Sequence, residues 1–96
     1  MKTERTARFL MANLGSEVSR LLDSKEKGDR EMAQKCLARA QRIFEQIENI
    51  PEMQPRKEEL SLLREIVDDV VQESPRYEVS KSNLKSYFFP FASRVV

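Results

Sequence analysis

Apolar side chains recur at steps of three and four residues along most of this chain, most clearly between Asp29 and Ile50. Almost all positions between them carry charged or amide side chains, so this segment has one apolar face and one polar face. The apolar face consists of Met32, Cys36, Ala40, Phe44 and Ile47. This pattern predicts an amphipathic helix over about residues 29–49, and such a helix must bury its apolar face against other helices.

The same spacing near the start of the chain predicts a helix over about residues 3–22. The polar stretch 23–28 ends in Gly28, a residue that favours helix ends, and Asp29 offers a side-chain oxygen to cap the next helix. A connector this short predicts that the first two helices pair as an antiparallel hairpin. Gly15 lies at the edge of the first apolar stripe. A glycine inside a helix costs about 1 kcal/mol relative to alanine. We expect close approach of another helix to compensate for this cost, and the alternative is a flexible or functional kink.

A third helix is predicted over about residues 55–73. Pro51 and Pro55 bracket the break before it, and Pro55 suits a first helical turn, where its missing amide is harmless. The segment contains several β-branched residues, but their spacing of three and four fits a helix better than the alternation of a strand. Ser74 and Pro75 are expected to end the helix.

Four of the seven aromatic residues of the chain fall within five positions near its end. A short helical segment is predicted over about residues 83–89, since Pro90 removes a backbone donor. These aromatic side chains either fold back over the core or dock on a second subunit or a protein partner, and the two interpretations overlap. The candidate interface residues are Tyr87, Phe88, Phe89 and Phe91.

These elements predict an all-α fold, an antiparallel bundle of three long helices plus a short C-terminal helical segment, with residues 1–96 in a single domain. The predicted core draws on every helix. It consists of Leu10, Leu14, Val18, Leu21, Met32, Cys36, Ala40, Phe44, Ile47, Leu60, Leu63, Val67, Val70 and Phe88.

Composition narrows the classes of function. The net charge of +1 argues against a general attraction to nucleic acid or to an anionic membrane, and no stretch is long and apolar enough to span a bilayer. The chain has no histidine, so an imidazole is excluded both as a catalytic base and as a metal ligand. The single cysteine, Cys36, is expected to be a buried free thiol, which is consistent with a cytoplasmic location.

Negative charge is concentrated in the third helix. Residues 51–73 contain three Lys/Arg and seven Asp/Glu, a net charge of −4. The carboxylates near the helix end are unfavourable beside its negative dipole end. Either they form a solvated acidic face, or a cation lies nearby, from a partner's basic surface or from the candidates in the tail, Arg76, Lys81 and Lys85. Glu65 and Asp69 share a helix face but have no histidine to complete a metal site. The candidate electrostatic patch is Glu65, Asp68, Asp69 and Glu73.

Lys35, Arg39 and Arg42 share a face of the second helix and would be able to follow a phosphate backbone. Because Glu31 and Glu45 flank them, we interpret this face mainly as solvated.

We therefore expect a non-enzymatic helical protein that acts through self-association, as a homodimer, or through contacts with a protein partner. The alternative is a nucleic-acid-associated regulator or a toxin–antitoxin-like component. The sequence contains neither a nucleophile–base pairing nor a phosphate-binding glycine loop. It therefore predicts no enzyme activity, cofactor, metal site or small-molecule substrate.

Overall fold

The computed structural model of the protein describes residues 3–72 and 83–88. These residues form helices and no strand, so the predicted all-α fold is confirmed. The assignment of residues 1–96 to one domain stays a prediction. In chain order the elements are α1 (Thr3–Lys27), α2 (Arg30–Glu48), a 3-10 helix (Pro51–Arg56), α3 (Lys57–Val70) and the short helix α4 (83–88).

The hairpin between α1 and α2 turns more tightly than the sequence predicted, because α1 continues to Lys27 instead of ending near residue 22. The polar residues after Leu22 contain no helix breaker, and α1 ends only at Gly28, where φ is +77°. The Gly28 amide donates to the Lys25 carbonyl at 3.1 Å and the Asp29 amide to the Ser24 carbonyl at 2.8 Å. This pair of bonds is the Schellman arrangement that a glycine permits.

Asp29 caps α2 as predicted, since its Oδ1 accepts a hydrogen bond from the Met32 amide at 3.1 Å. Met32 itself is 40% exposed, so its prediction as a core residue is wrong. It lies in the first turn of α2, just after the connector, and Lys25 and Lys27 in the last turn of α1, just before the connector, are exposed too. Ala33 is buried in its place. Cys36 is a fully buried free thiol, as predicted.

The predicted third helix, 55–73, is shorter at both ends in the structure. Pro51 to Arg56 form the 3-10 helix, and the α-helix runs only from Lys57 to Val70. Two prolines in six residues remove two backbone donors, which disfavours a regular α-helix over this stretch. Met53 is buried and anchors the 3-10 helix to the core.

Helix α2 occupies the centre of the bundle, with contacts to both α1 and α3. Gln41 and Glu48 on its α3 side bond Asp68 and Arg64, and Arg39 on its α1 side bonds Glu17. One hydrophobic core joins all four α-helices and the 3-10 helix. Its fully buried large side chains are Met11, Leu14, Val18, Leu21, Cys36, Phe44, Ile47, Leu60 and Val67.

Candidate interaction site

Helix α4 places two of the four clustered aromatic side chains against the rest of the chain. Phe88 is 4% exposed, Leu84 is also buried, and both belong to the core. The Phe88 ring stands edge-on to the half-buried Tyr87 ring, with 5.1 Å between the centroids. These two aromatics therefore fold back onto the bundle. Phe89 and Phe91 lie outside the described residues, and an interface formed by the four aromatics stays a prediction.

Gly15 allows α4 to approach α1 closely. A Cβ atom added at Gly15 would lie 2.7 Å from the Cβ and 2.9 Å from the Cγ of Phe88. The Phe88 Cβ is bonded to the backbone, so it moves only if α4 moves. The close approach predicted at Gly15 is confirmed, and the neighbour is the short helix α4.

Polar contacts fasten α4 to both α1 and α3. Lys85 Nζ lies 3.3 Å from Oδ1 of Asp23 on α1. The Tyr87 hydroxyl donates a hydrogen bond to Oε2 of Glu59 on α3. Arg56 binds the same carboxylate with two bonds, Nε to Oε1 at 3.2 Å and Nη2 to Oε2 at 2.8 Å. The short helix thereby joins two helices that are far apart in the sequence.

Tyr87 and Glu59 shift each other's pKa in opposite directions. Burial, followed by the hydrogen bond to Glu59, raises the pKa of Tyr87 to about 12. Hydrogen bonds from Arg56 and then Tyr87 lower the pKa of Glu59. Tyr87 therefore adds stability below its unfolded pKa of about 10, and this contribution is lost as the pH rises to about 12. Glu59 adds stability above its unfolded pKa, and this contribution is lost as the pH falls through its lowered folded value.

Replacing Tyr87 by phenylalanine is expected to remove a tyrosine that ionises at about pH 12. The chain has two tyrosines. Subtracting the tyrosinate absorbance titration of Tyr87→Phe from that of the wild type therefore isolates the Tyr87 hydroxyl. Glu59→Gln should move the isolated midpoint downward, because the neighbouring negative charge is gone. Circular dichroism at each pH checks that the chain stays folded. A midpoint at about 10, the value for an unperturbed tyrosine, in a folded chain would contradict the contact.

The predicted acidic patch lies on α3, except for Glu73, which is outside the described residues. Glu65 is exposed, whereas Asp68 and Asp69 are half-buried. Asp68 Oδ1 accepts a hydrogen bond from the Gln41 amide of α2 at 3.1 Å. Part of this patch therefore contributes to the packing of α3 on α2.

The cation at the carboxyl end of α3 comes from α1. Lys25 donates to the Val70 carbonyl, one of the last carbonyls that the helix itself leaves unbonded. The expectation that Lys85 fills this role is wrong, because Lys85 is paired with Asp23. Arg76 and Lys81, the other tail candidates, lie outside the described residues. Because the first helix was predicted to end near residue 22, Lys25 was assigned to the connector and not to a helix.

An open groove between α1 and α2, called here the arginine groove, is lined by three arginines and one glutamate: Arg20, Arg39, Arg42 and Glu17. Glu17 Oε1 accepts a hydrogen bond from Nε of Arg39 at 2.9 Å, and Oε2 lies 3.6 Å from Nη1 of Arg20. The hydrogen bond from Arg39 to Glu17 raises the pKa of Arg39. Arg42 has no hydrogen bond or ion pair among the described residues. Three arginines and one glutamate leave two positive charges in the groove, whose other lining residues are Asn13, Ser16, Ile43 and Gln46.

The sequence pattern identified only part of this groove. Of the three cations predicted to share a face of α2, Arg39 and Arg42 line the groove. Lys35 is paired with Glu31 at 3.5 Å and does not line it. Arg20 belongs to α1, and spacing within one helix gives no signal that it lies beside α2.

Two large apolar side chains on different helices are more than half exposed. Phe9 on α1 is 55% exposed and Leu62 on α3 is 51% exposed. Leu62 has exposed carboxylates four residues before it and three residues after it, on the same side of the helix. We call Glu58, Leu62 and Glu65 the outer stripe of α3.

No protein-family model, curated protein or solved structure matches this chain. Within residues 3–72 and 83–88, no helix combines the length and apolar character needed to cross a membrane. The same residues hold no group of three acidic or cysteine side chains placed to bind a metal ion. The surfaces described above are therefore the guide to its function.

Proposed function

We propose that this chain is a non-enzymatic helical protein that acts through protein–protein contacts, in the first place through self-association. The observation that supports this proposal is the arginine groove, in which Arg20 and Arg39 pair with the carboxylate of Glu17 and Arg42 lines the same groove. The surplus of two positive charges favours an occupant that carries carboxylates. We place the protein in the cytoplasm, where a free thiol such as that of Cys36 persists.

The side chains of the groove favour a protein occupant over a nucleic acid. Arginine is enriched and lysine depleted in protein interfaces, and the groove contains arginine but no lysine. The planar guanidinium binds carboxylates through paired hydrogen bonds. Ile43 adds apolar surface to the groove. Nucleic-acid binding would use a row of available cations, whereas Lys35 and Arg39 are already paired within the chain.

Sedimentation velocity over a range of protein concentrations tests self-association. We expect the average mass to rise above the 11.2 kDa of one chain as the concentration increases, and to rise less at high salt. Arg42→Glu should weaken the association by roughly tenfold, because it places a negative charge where the occupant's carboxylates bind. Lys35→Glu makes the same change in net charge outside the groove, and it should behave like the wild type.

A mass that stays at the value of one chain at every concentration and salt would contradict the proposal. A mobility-shift assay at the same salt concentrations examines the nucleic-acid alternative. If nucleic acid binds a protein that stays monomeric, and Arg42→Glu abolishes that binding, the alternative replaces the proposal.

A further inference from the structure

We propose that the arginine groove of one copy of the chain binds the outer stripe of α3 of a second copy. This inference rests on the proposed self-association and identifies the two surfaces that meet.

Charge is the first reason to pair these surfaces. The groove has two positive charges in excess, whereas the segment that contains the outer stripe, residues 51–73, has a net charge of −4. Glu58 is exposed and has no hydrogen bond or ion pair among the described residues, and the same holds for Arg42 in the groove. Glu58 and Arg42 are therefore the pair whose contact between copies displaces no bond within either copy.

Apolar surface is the second reason. Leu62 is 51% exposed in the middle of the outer stripe, and Ile43 is half-buried in the groove. Because Glu58 lies one helical turn before Leu62, a groove that receives the carboxylate also receives the leucine side chain. Leu62 then loses water-exposed apolar area against Ile43, which favours association. The leucine explains why this acidic surface fits the groove better than a uniformly charged one.

The contact joins two different patches of the chain, the α1–α2 groove and the solvent side of α3. Repeated from copy to copy in the same sense, it is heterologous and builds rings or open chains of subunits. Species larger than a dimer are therefore expected at high protein concentration.

Charge reversal on each side, first singly and then in one chain, tests the pairing. Arg42→Glu and Glu58→Arg are each expected to weaken self-association roughly tenfold, because each places like charges in contact. The double variant Arg42→Glu/Glu58→Arg should recover the wild-type mass distribution in sedimentation velocity, since the reversed groove of one copy then meets the reversed stripe of the next. Glu52→Arg is the matched control. It reverses an exposed glutamate outside the stripe, so alone it should not weaken association, and in one chain with Arg42→Glu it should not rescue association.

Recovery in Arg42→Glu/Glu58→Arg and not in Arg42→Glu/Glu52→Arg would establish the contact. Two results would overturn the contact but leave the proposed function standing: single variants that associate like the wild type, or equal rescue by Glu52→Arg. A wild-type chain that stays monomeric would overturn both. Circular dichroism confirms that each variant keeps its helical content, so that a loss of association is not a loss of folding.

Discussion

Replacing Phe88 by alanine should lower the free energy of unfolding by about 3–5 kcal/mol, the usual effect of removing a buried aromatic ring. The ring is 4% exposed and packs over Gly15 of α1, so the truncation leaves a cavity between α1 and α4. A domain of this size is stable by about 5–15 kcal/mol in total, so this one change would remove a large part of its stability. Urea unfolding followed by circular dichroism measures the difference.

Phe9→Ala is the matched control for that experiment. It makes the same chemical change on α1 at a side chain that is 55% exposed, so the expected effect is within about 0.5 kcal/mol. Equal losses in the two variants would contradict the placement of Phe88 in the core.

Gly15→Val should lower the free energy of unfolding by about 1–3 kcal/mol, the range for forcing extra atoms into a packed core. Its Cβ alone would lie 2.7 Å from the Cβ of Phe88, and valine adds two more methyl groups. Valine has a higher helix propensity than glycine, which offsets part of this cost. The measurement is again urea unfolding.

The three atoms nearest to a Cβ at Gly15 all belong to Phe88, so Gly15→Val and Phe88→Ala should be coupled. Alanine removes the ring atoms that the valine would meet but keeps the Cβ. Gly15→Val should therefore cost less in the Phe88→Ala background than in the wild type and still be destabilising. Equal costs of Gly15→Val in the two backgrounds would mean that the Phe88 ring takes no part in the clash.

The apolar spacing predicted α2 to within one residue at each end because that helix contains no breaker and has a capping aspartate before it. The same reasoning ended α1 too early, because a run of polar residues after Leu22 resembles a loop. Polarity shows only that a segment faces water, and the residue that ends the helix is Gly28, whose φ is positive.

The candidate sites were predictable to different degrees. The dense aromatic cluster by itself indicated that residues 87 and 88 are in contact with other parts of the protein or with a partner, because so many large apolar side chains require burial. No feature of the sequence indicates that Glu59 of α3 is the hydrogen-bond partner of Tyr87. The arginine groove was only partly predictable from the sequence, since Arg39 and Arg42 share a helix whereas Arg20 belongs to another.

The sequence by itself determined the helical class, the identity of most buried faces and the need for a close neighbour at Gly15. Each of these follows from the properties of consecutive residues: apolar period, capping chemistry and the missing Cβ of glycine. Only the tertiary structure decided that this neighbour is Phe88, that Lys25 reaches the end of α3, and that three arginines line one groove with Glu17. Those contacts depend on how the helices pack against one another. Spacing within a single helix does not fix which faces of two distant segments will meet.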